Sequence, residues 1–377
     1  MLNFNEKIIF NKLFIDVTKF LLLISLSLSL IIWVVQAVNF LDYISEDGHG
    51  LKTYFSITLL SFPKIFTRIL PFSIFIAIFY ILNKYEVKNE LIIYWNIGIK
   101  KIKFINNLII FSILLLFLQL FFKTFLVPNS LDLSRDYIRN SNIDFFPNLI
   151  KEKKFIDSVR NLTIFVENKS RNGELKNIYL KDQLNNKKSQ IIYAKKGRFF
   201  FKDNNNFLIL NDGSFIDIAN QKITSFAFKK TEINLSKYLT KTTTFPKIQE
   251  IQTNHLINCL YNLYLDKNFK SATSFLVCSK KSQDDIKEEI FKRIVKPFFI
   301  PALVLIASLI ILFNKDHFNY SKIQYTLFFI GFFTLVISEI SARYITNSSF
   351  QILFLILPVI IFLVSYLYLL FKLKTKT

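Results

Sequence analysis

The sequence predicts an α-helical membrane protein with six transmembrane helices (3+3) and an inserted β-jelly-roll-like domain. Three observations lead to this fold class. Long apolar stretches occur three times toward each end of the chain, the region between the two sets is polar, and that region contains short apolar runs separated by turn residues. A hydrocarbon core of about 30 Å takes about 20 apolar residues in a helix to cross. The chain is therefore expected to reside in a membrane.

The first apolar stretch shows the pattern best, since no charged residue lies between Phe20 and Leu41. It is too long for the apolar part of a cleaved signal peptide, and no small-residue cleavage site follows it. Residues 1–127 and 294–377 are thus predicted to form the two membrane halves. The predicted spans are Phe20–Phe40, Pro63–Leu82, Phe104–Leu126, Ile294–Phe313, Ile323–Arg343 and Gln351–Phe371.

The short connections predict the orientation, because cytoplasmic loops carry an excess of Lys and Arg. The opposite side has only Lys52 in one short loop and none within Ile345–Phe350. Both termini are therefore predicted to be cytoplasmic, and the insert is predicted to face the outside. The lysines on the cytoplasmic side are Lys7, Lys12, Lys19, Lys84, Lys88, Lys100, Lys101, Lys103, Lys315, Lys322, Lys372, Lys374 and Lys376.

The insert has two regions with different sequence patterns. Residues 128–245 favour an antiparallel β-sandwich or jelly roll, because short apolar runs such as Gln190–Ala194 and Phe199–Phe201 alternate with turn residues such as Asp212-Gly213. Residues 246–293 favour a helical connector, since apolar residues recur at three- and four-residue steps. Cys259 and Cys278 lie in this connector, and either a disulfide or two free thiols fits the sequence.

The composition excludes several function classes. The net charge of +21 does not indicate nucleic-acid binding, because no basic stripe interleaves with stacking aromatic residues on a soluble domain. The chain has seven glycines and no G-x-x-x-x-G-K-[ST] sequence, so it lacks a phosphate-binding loop for ATP. His49, His255 and His317 are scattered, and no paired Cys-x-x-Cys occurs. The sequence therefore predicts no enzyme, no cofactor and no metal site.

A short amphipathic segment at residues 86–101 follows the second span and is too short to cross a membrane. Leu91, Tyr94, Trp95 and Gly98 share one face of it. One interpretation is a helix that lies at the lipid headgroups. The other is a helix that docks into a groove on a cytosolic partner.

An ordered set of motifs resembles the LptF/LptG permeases of the lipopolysaccharide exporter. The set covers essentially the whole chain, although Tyr94-Trp95-Asn96 replaces the small residues usual before the glycine. The motifs are Tyr54-Phe55-x4-Leu60-x2-Pro63, Ile69-Leu70-Pro71, Asn89-Glu90-Leu91-Ile92, Asn96-Ile97-Gly98-Ile99, Asn211-Asp212-Gly213, and Glu289-Ile290-Phe291-Lys292-Arg293 followed by Pro297. The spacing of the sheet motifs resembles LptF slightly more than LptG.

The resemblance implies a permease subunit of an ABC-type exporter. Such a subunit pairs with a sister permease over a cytoplasmic ATPase dimer and extracts lipopolysaccharide from the outer leaflet of the Gram-negative inner membrane. It then passes the lipid to a periplasmic jelly-roll bridge protein. On this resemblance, Glu90, Leu91 and Gly98 form the ATPase-coupling contact.

Five cations near the outer ends of the spans are candidate substrate-binding residues. Cations so placed meet the phosphates of a lipid headgroup, and an arginine binds phosphate through two parallel hydrogen bonds. The alternative is that these side chains snorkel to the interface. Burying a cation in the bilayer costs about 2.5–3.5 kcal/mol, so the adjacent pair Lys64 and Arg68 favours a cavity. The full set is Lys64, Arg68, Lys123, Arg293 and Arg343.

Two other function classes fit the sequence less well. A membrane-anchored sensor or assembly factor, whose outer β domain binds a partner, usually needs a cytoplasmic output domain, and the predicted cytoplasmic pieces are short. A membrane-embedded enzyme needs acid, base or metal ligands that converge within the spans, and the spans lack such a set.

Overall fold

The computed structural model describes residues 4–41, 50–140, 150–159, 162–170, 173–185, 188–202, 205–219, 222–235, 246–264, 278, 282–316, 318–346 and 350–374. His49, His317 and Lys376 lie outside the described residues. By contacts, the chain divides into two compact units. The membrane unit comprises Met1–Val34, Ser61–Asp132 and Lys247–Thr377, and the β unit comprises Val35–Leu60 and Leu133–Pro246.

The predicted plan of three plus three spanning helices around a β domain is confirmed. Six helical stretches within the described ranges are long and apolar enough to cross a membrane: Lys7–Asn39, Leu51–Val87, Lys101–Ile138, Gln283–Leu312, Tyr320–Tyr344 and Gln351–Lys374. They exceed the apolar predictions at most ends, because helical hydrogen bonding continues into polar residues that do not enter the hydrocarbon.

The helices are α1 (Phe4–Asn39), α2 (Leu51–Val87), α3 (Glu90–Asn96), α4 (Lys101–Phe121), α5 (Val127–Asn140), α6 (Thr253–Tyr264), α7 (Gln283–Ile290), α8 (Phe299–Ser308), α9 (Tyr320–Tyr344) and α10 (Gln351–Lys374). Two π-helical turns, Phe122–Leu126 and Phe291–Val295, interrupt the third and fourth spans. π-Helical turns inside α-helices frequently occur at functional sites.

The core of the membrane unit is built around α2 and α8. Nearly every side chain of α8 is buried, and α2 contributes Phe75, Ile78 and Leu82 to the same core. Side chains of α1, α9 and α10 are mostly exposed, as expected for helices that face lipid or a partner protein.

A proline inside α2 removes one helical donor, and a neighbouring helix replaces it. Pro71 has no N–H to give to the carbonyl of Thr67 one turn earlier. The buried side chain of Gln119 from α4 donates to that carbonyl at 2.8 Å. Backbone groups freed by proline in a membrane helix have to be satisfied by neighbours in this way.

Gly331 of α9 lies against the ring of Phe75 from α2. A Cβ at this position would lie 2.1 Å from the ring of Phe75. That ring is enclosed by Phe79 and Phe328, with ring centroids 5.8 Å away in each case. The glycine is therefore required for α9 to pack against α2.

We expect Gly331→Leu to destabilise the membrane unit, because the Phe75 ring has no room to move. Overpacking a filled core costs about 1–3 kcal/mol. Thermal unfolding of the purified chain in detergent measures the loss. Gly50→Leu is the matched control, because no atom lies within 4 Å of a Cβ built there. Equal unfolding temperatures for the two variants would contradict this packing.

The β unit contains one antiparallel sheet whose described strands pair in sequence order from β1 to β6. One face holds the apolar core, to which Leu162, Ile164, Val166 and Leu180 contribute. The jelly-roll closure stays a prediction. The strands are β1 (Phe155–Val159), β2 (Leu162–Lys169), β3 (Glu174–Asn185), β4 (Lys188–Lys202), β5 (Asn205–Ala219) and β6 (Lys222–Asn234).

The prediction of a turn at Asp212-Gly213 is wrong. These residues lie inside β5, and pairing with β4 continues on both sides, from Ala194 opposite Gly213 to Lys196 opposite Asn211. Asp212 adopts a left-handed conformation with φ 52°, which bends the strand without ending it. The preference of Asp-Gly for a turn affects only the local backbone, and the cross-strand pairing of the sheet outweighs it here.

The described parts of the connector after the sheet include α6 and α7, and its two cysteines are joined. Cys259 of α6 forms a disulfide with Cys278, with a Cα–Cα distance of 5.7 Å. Leu256 of α6 and Ile286 of α7 are buried beside this bond. The disulfide selects between the two states that the sequence allows, and it fits an oxidising compartment.

Candidate functional site

Residues near the ends of four spans surround a cavity of about 220 Å³ in the membrane unit. All five predicted substrate-binding residues line it, so the structure brings them together from α2, the two π-helical turns and α9. Its charged lining comprises seven cations and two carboxylates: Lys64, Arg68, Lys123, Lys292, Arg293, Lys296, Arg343, Glu289 and Glu339. The cavity is therefore strongly electropositive, and it suits a ligand with several negative charges.

The guanidinium of Arg293 makes its hydrogen bonds within the protein. Its guanidinium donates to Glu289 Oε1 at 2.8 Å and to Thr253 Oγ1 at 3.0 Å. It also donates to the carbonyl oxygens of Ile251 at 2.8 Å and Gln249 at 2.9 Å. The side chain is only 3% exposed. Arg293 therefore holds the start of the connector against the fourth span, and its donors are already used.

Two further cations are held inside the cavity wall. Lys123 Nζ donates to the carbonyl oxygen of Lys292 at 3.0 Å, which joins the two π-helical turns. Lys296 forms an ion pair with Glu339 of α9. Glu339 lies one helical turn from Arg343, but the structure pairs it with Lys296. Lys123 and Lys296 contribute positive charge to the cavity, and their contacts hold both side chains in place.

The remaining predicted cations are less constrained by the described part of the protein. Arg68 and Arg343 are exposed and form no ion pair with any residue that the structure describes. Lys64 is half-buried, and its Nζ donates to the neutral side-chain oxygen of Gln249 at 2.6 Å. A phosphate is a stronger acceptor than an amide oxygen, so Lys64 can exchange this contact for an anionic ligand.

The second candidate site is the short helix α3. Asn89 before it and Gly98 after it both have positive φ, 61° and 86°, so the chain reverses sharply at each end. Leu91 is 1% exposed, and Tyr94 is also buried. Leu91 therefore anchors α3 to the chain's own core, whereas the sequence placed it in a contact with a partner.

Aromatic packing fixes α3 to the bundle. The Tyr94 ring lies 5.0 Å from Phe104 and 5.7 Å from Phe10, measured between centroids. The Tyr94 hydroxyl donates to the carbonyl oxygen of Ile9 at 3.2 Å. Burial raises the pKa of Tyr94 above its ordinary value, so the phenol keeps this proton. These contacts join α3 directly to α1 and α4.

The outward face of α3 is apolar and was missed by the sequence analysis. Ile92, Ile93 and Ile97 are exposed, and Glu90 begins the helix beside them. The signal was present, since these isoleucines lie opposite Leu91 and Tyr94 on the helix. Exposed isoleucines next to a carboxylate form a surface that suits docking into a groove on another protein.

Comparison with known proteins decides the family. The profile of the family described as "Lipopolysaccharide export system permease LptF/LptG" matches residues 13–372 of the chain. The chain belongs to the LptF/LptG family. An uncharacterized protein of Rickettsia prowazekii (strain Madrid E) is 25% identical to this LptF/LptG permease over 306 residues, which are 79% of this chain and 81% of that protein.

Membership of this family makes the chain a multi-pass membrane permease of lipopolysaccharide export that works with other components of the export system. It is a transport subunit and not itself an enzyme. The family profile covers LptF and LptG together.

Proposed function

We propose that this permease extracts lipopolysaccharide from the outer leaflet of the Gram-negative inner membrane and passes it to a periplasmic jelly-roll bridge protein. A separate cytoplasmic ATPase dimer drives the transfer, and a sister permease completes the membrane unit. The observation that carries the proposal is the electropositive cavity at the outer ends of the spans, which five predicted cations line together. The lipid A headgroup is a bulky anion, and its phosphates complement the positive charge of this cavity.

Lys64, Arg68 and Arg343 make the direct phosphate contacts in this proposal. The two arginines are exposed at the cavity, and Lys64 gives up only an amide acceptor when it binds. Lys123, Lys296 and Arg293 hold the cavity in shape. A site at the edge of the hydrocarbon has a lower dielectric constant than water, so each charge pair there is stronger than on a soluble surface.

The coupling site in this proposal is the outward face of α3. Glu90, Ile93 and Gly98 contact the ATPase dimer, while Leu91 and Tyr94 keep α3 rigid against the bundle. Glu86 continues the link, because its carboxylate accepts a hydrogen bond from the backbone N–H of Lys315 at 3.2 Å, in the connection before α9. Movement of the ATPase thus reaches both membrane halves.

The remaining architecture follows the same plan. We assign residues 1–127, with the coupling segment 86–101, and residues 294–377 to the membrane, residues 128–245 to a periplasmic jelly roll and residues 246–293 to a periplasmic connector. Both termini are placed in the cytoplasm. The spacing of the sheet motifs favours the LptF-like subunit of the pair.

A double charge reversal tests the substrate site. In the complex purified with its neighbours in the cell, we expect Lys64→Glu with Arg68→Glu to abolish most of the stimulation of ATPase activity by lipopolysaccharide. Each charge-assisted hydrogen bond contributes about 1.5–3 kcal/mol, so losing two weakens lipid binding by at least about a hundredfold. Basal ATPase activity should remain.

The matched control is Lys52→Glu, an exposed lysine that does not line the cavity. Unchanged lipid stimulation in the double variant would contradict the substrate site. The same purification tests the partners, since a nucleotide-binding protein should co-elute with the permease in a ratio of about two to one. Its absence would favour a sensor or assembly factor.

A further inference from the structure

Four aromatic side chains form one row across the first four strands of the sheet. Phe155 of β1 pairs in register with Phe165 of β2, Phe165 with Tyr179 of β3, and Tyr179 with Tyr193 of β4. The ring centroids of Phe155 and Phe165 are 4.7 Å apart, and those of Tyr179 and Tyr193 are 5.1 Å apart. The rings therefore make a continuous aromatic row at about the spacing of the strands.

The aromatic row lies on the face opposite the core. Successive side chains of a strand point to opposite faces, and the neighbours Ile164 and Val166 of Phe165 are both buried. Phe155 is 64% exposed and Tyr193 is 47% exposed. Cross-strand aromatic pairs stabilise a sheet by about 0.2–1 kcal/mol each. That stabilisation alone does not account for a row of rings that lines an open groove.

The row forms one wall of such a groove, with a volume of about 810 Å³. Polar side chains converge on the same space: Asn177, Lys195, Asp212 and Ser214 line it together with the rings. Aromatic walls with a few placed polar groups are the usual composition of a ligand site, and the volume lies within the usual range.

Two residues with left-handed backbone place polar groups beside the rings. Asn177 has φ 52°, and its amide donates to Glu167 Oε2 at 2.5 Å, which fixes the amide next to Tyr179. Asp212 also has φ 52° and also lines the groove. Such conformations are uncommon in non-glycine residues, and both residues here line the groove.

We propose that this groove binds an anionic oligosaccharide, the phosphorylated sugar part of the transported glycolipid. The apolar C–H face of a pyranose stacks on an aromatic ring, while its hydroxyl groups need amide, carboxylate and hydroxyl partners, all of which are present. Lys195 in the groove and Lys181, two residues from Tyr179 on the same face, supply the charge complementary to phosphate. An acyl chain would leave these polar groups unsatisfied.

The choice of ligand rests on the proposed function, whereas the site itself rests on the geometry of the sheet. The sugar site is separate from the electropositive cavity, since the lining residues of the two do not overlap. The two sites would recognise different parts of the same glycolipid, its phosphates at the cavity and its sugars at the groove.

Binding of the phosphorylated core oligosaccharide, released from lipopolysaccharide by mild acid and free of acyl chains, tests the inference. Calorimetric titration into the full-length chain in detergent should show saturable binding for the wild type. We expect Tyr179→Ala with Tyr193→Ala to weaken it at least tenfold, and Lys195→Glu to weaken it severalfold. Tyr179→Phe with Tyr193→Phe should retain most of the affinity, because the stacking faces remain.

Phe200→Ala is the matched control, since Phe200 is an exposed aromatic residue of β4 that does not line the groove. Unchanged oligosaccharide affinity in the double alanine variant, with a lowered unfolding temperature, would show that the row only stabilises the sheet. Affinity for lipid A alone and none for the oligosaccharide would show an acyl-chain site. Either result overturns the inference.

Lipopolysaccharide stimulation of ATPase activity separates this inference from the proposed function. If the wild-type complex is stimulated but binds no oligosaccharide, only the sugar site is wrong. If the wild-type complex is not stimulated by lipopolysaccharide at all, the proposed function itself fails.

Discussion

Arg293→Met is expected to destabilise the membrane unit by about 3–5 kcal/mol and to abolish lipopolysaccharide transport. Removing one partner of a buried ion pair leaves an uncompensated charge, here the carboxylate of Glu289. The carbonyl oxygens of Ile251 and Gln249 lose their donor as well. The segment before α6 should therefore detach from the fourth span. Thermal unfolding measures the loss of stability, and limited proteolysis of the connector measures its detachment.

Lys292→Met, one residue away, is the control for the stability measurement. Lys292 forms a partly exposed ion pair with Glu288, and exposed pairs contribute about 0–1 kcal/mol. Arg293→Lys should fall between the two variants, because one ammonium group cannot reach acceptors on both sides as a guanidinium does. A stable Arg293→Met chain with a protected connector would show that the guanidinium network is not required.

Glu90→Lys and Ile93→Asp are each expected to uncouple ATP hydrolysis from lipopolysaccharide release without preventing insertion of the chain. Both side chains are at least partly exposed on α3, so neither change empties the core. The first reverses a charge at the coupling site, and the second places a carboxylate where an apolar contact is expected. ATPase rate and lipid release, measured together in the purified complex, test both variants.

Leu91→Asp separates docking from folding. Leu91 is buried in the membrane unit, so this variant should lose stability as well as coupling, whereas Ile93→Asp should unfold like the wild type. Normal coupling in the purified Glu90→Lys complex would remove α3 from the contact with the ATPase.

Particular elements show how far the sequence reaches. Long apolar stretches with few charges identified every predicted span, because the free energy of burying charge in hydrocarbon is large and local in sequence. The face of α3 that turns inward was not predictable. The periodicity of Leu91 and Tyr94 shows that α3 has two faces, but packing of Phe10 and Phe104 decides which one the chain itself buries.

The charge network shows the same limit. Glu289 and Arg293 are four residues apart, and they form an ion pair across one helical turn. The hydrogen bonds from Arg293 to Gln249 and Ile251 join residues more than 40 positions apart, and the pair Lys296–Glu339 crosses from one span to the next. Such contacts depend on how helices meet.

The sequence by itself determined the membrane residence, the three-plus-three plan and the β insert, since each follows from hydrophobicity and turn chemistry within a short window. Only the tertiary structure decided which cations already have protein partners, which face of α3 is exposed and which aromatic residues align across strands. The physical reason is that a hydrophobic pattern is local in the sequence. Hydrogen-bond partners and strand register depend instead on contacts between segments that are distant in sequence.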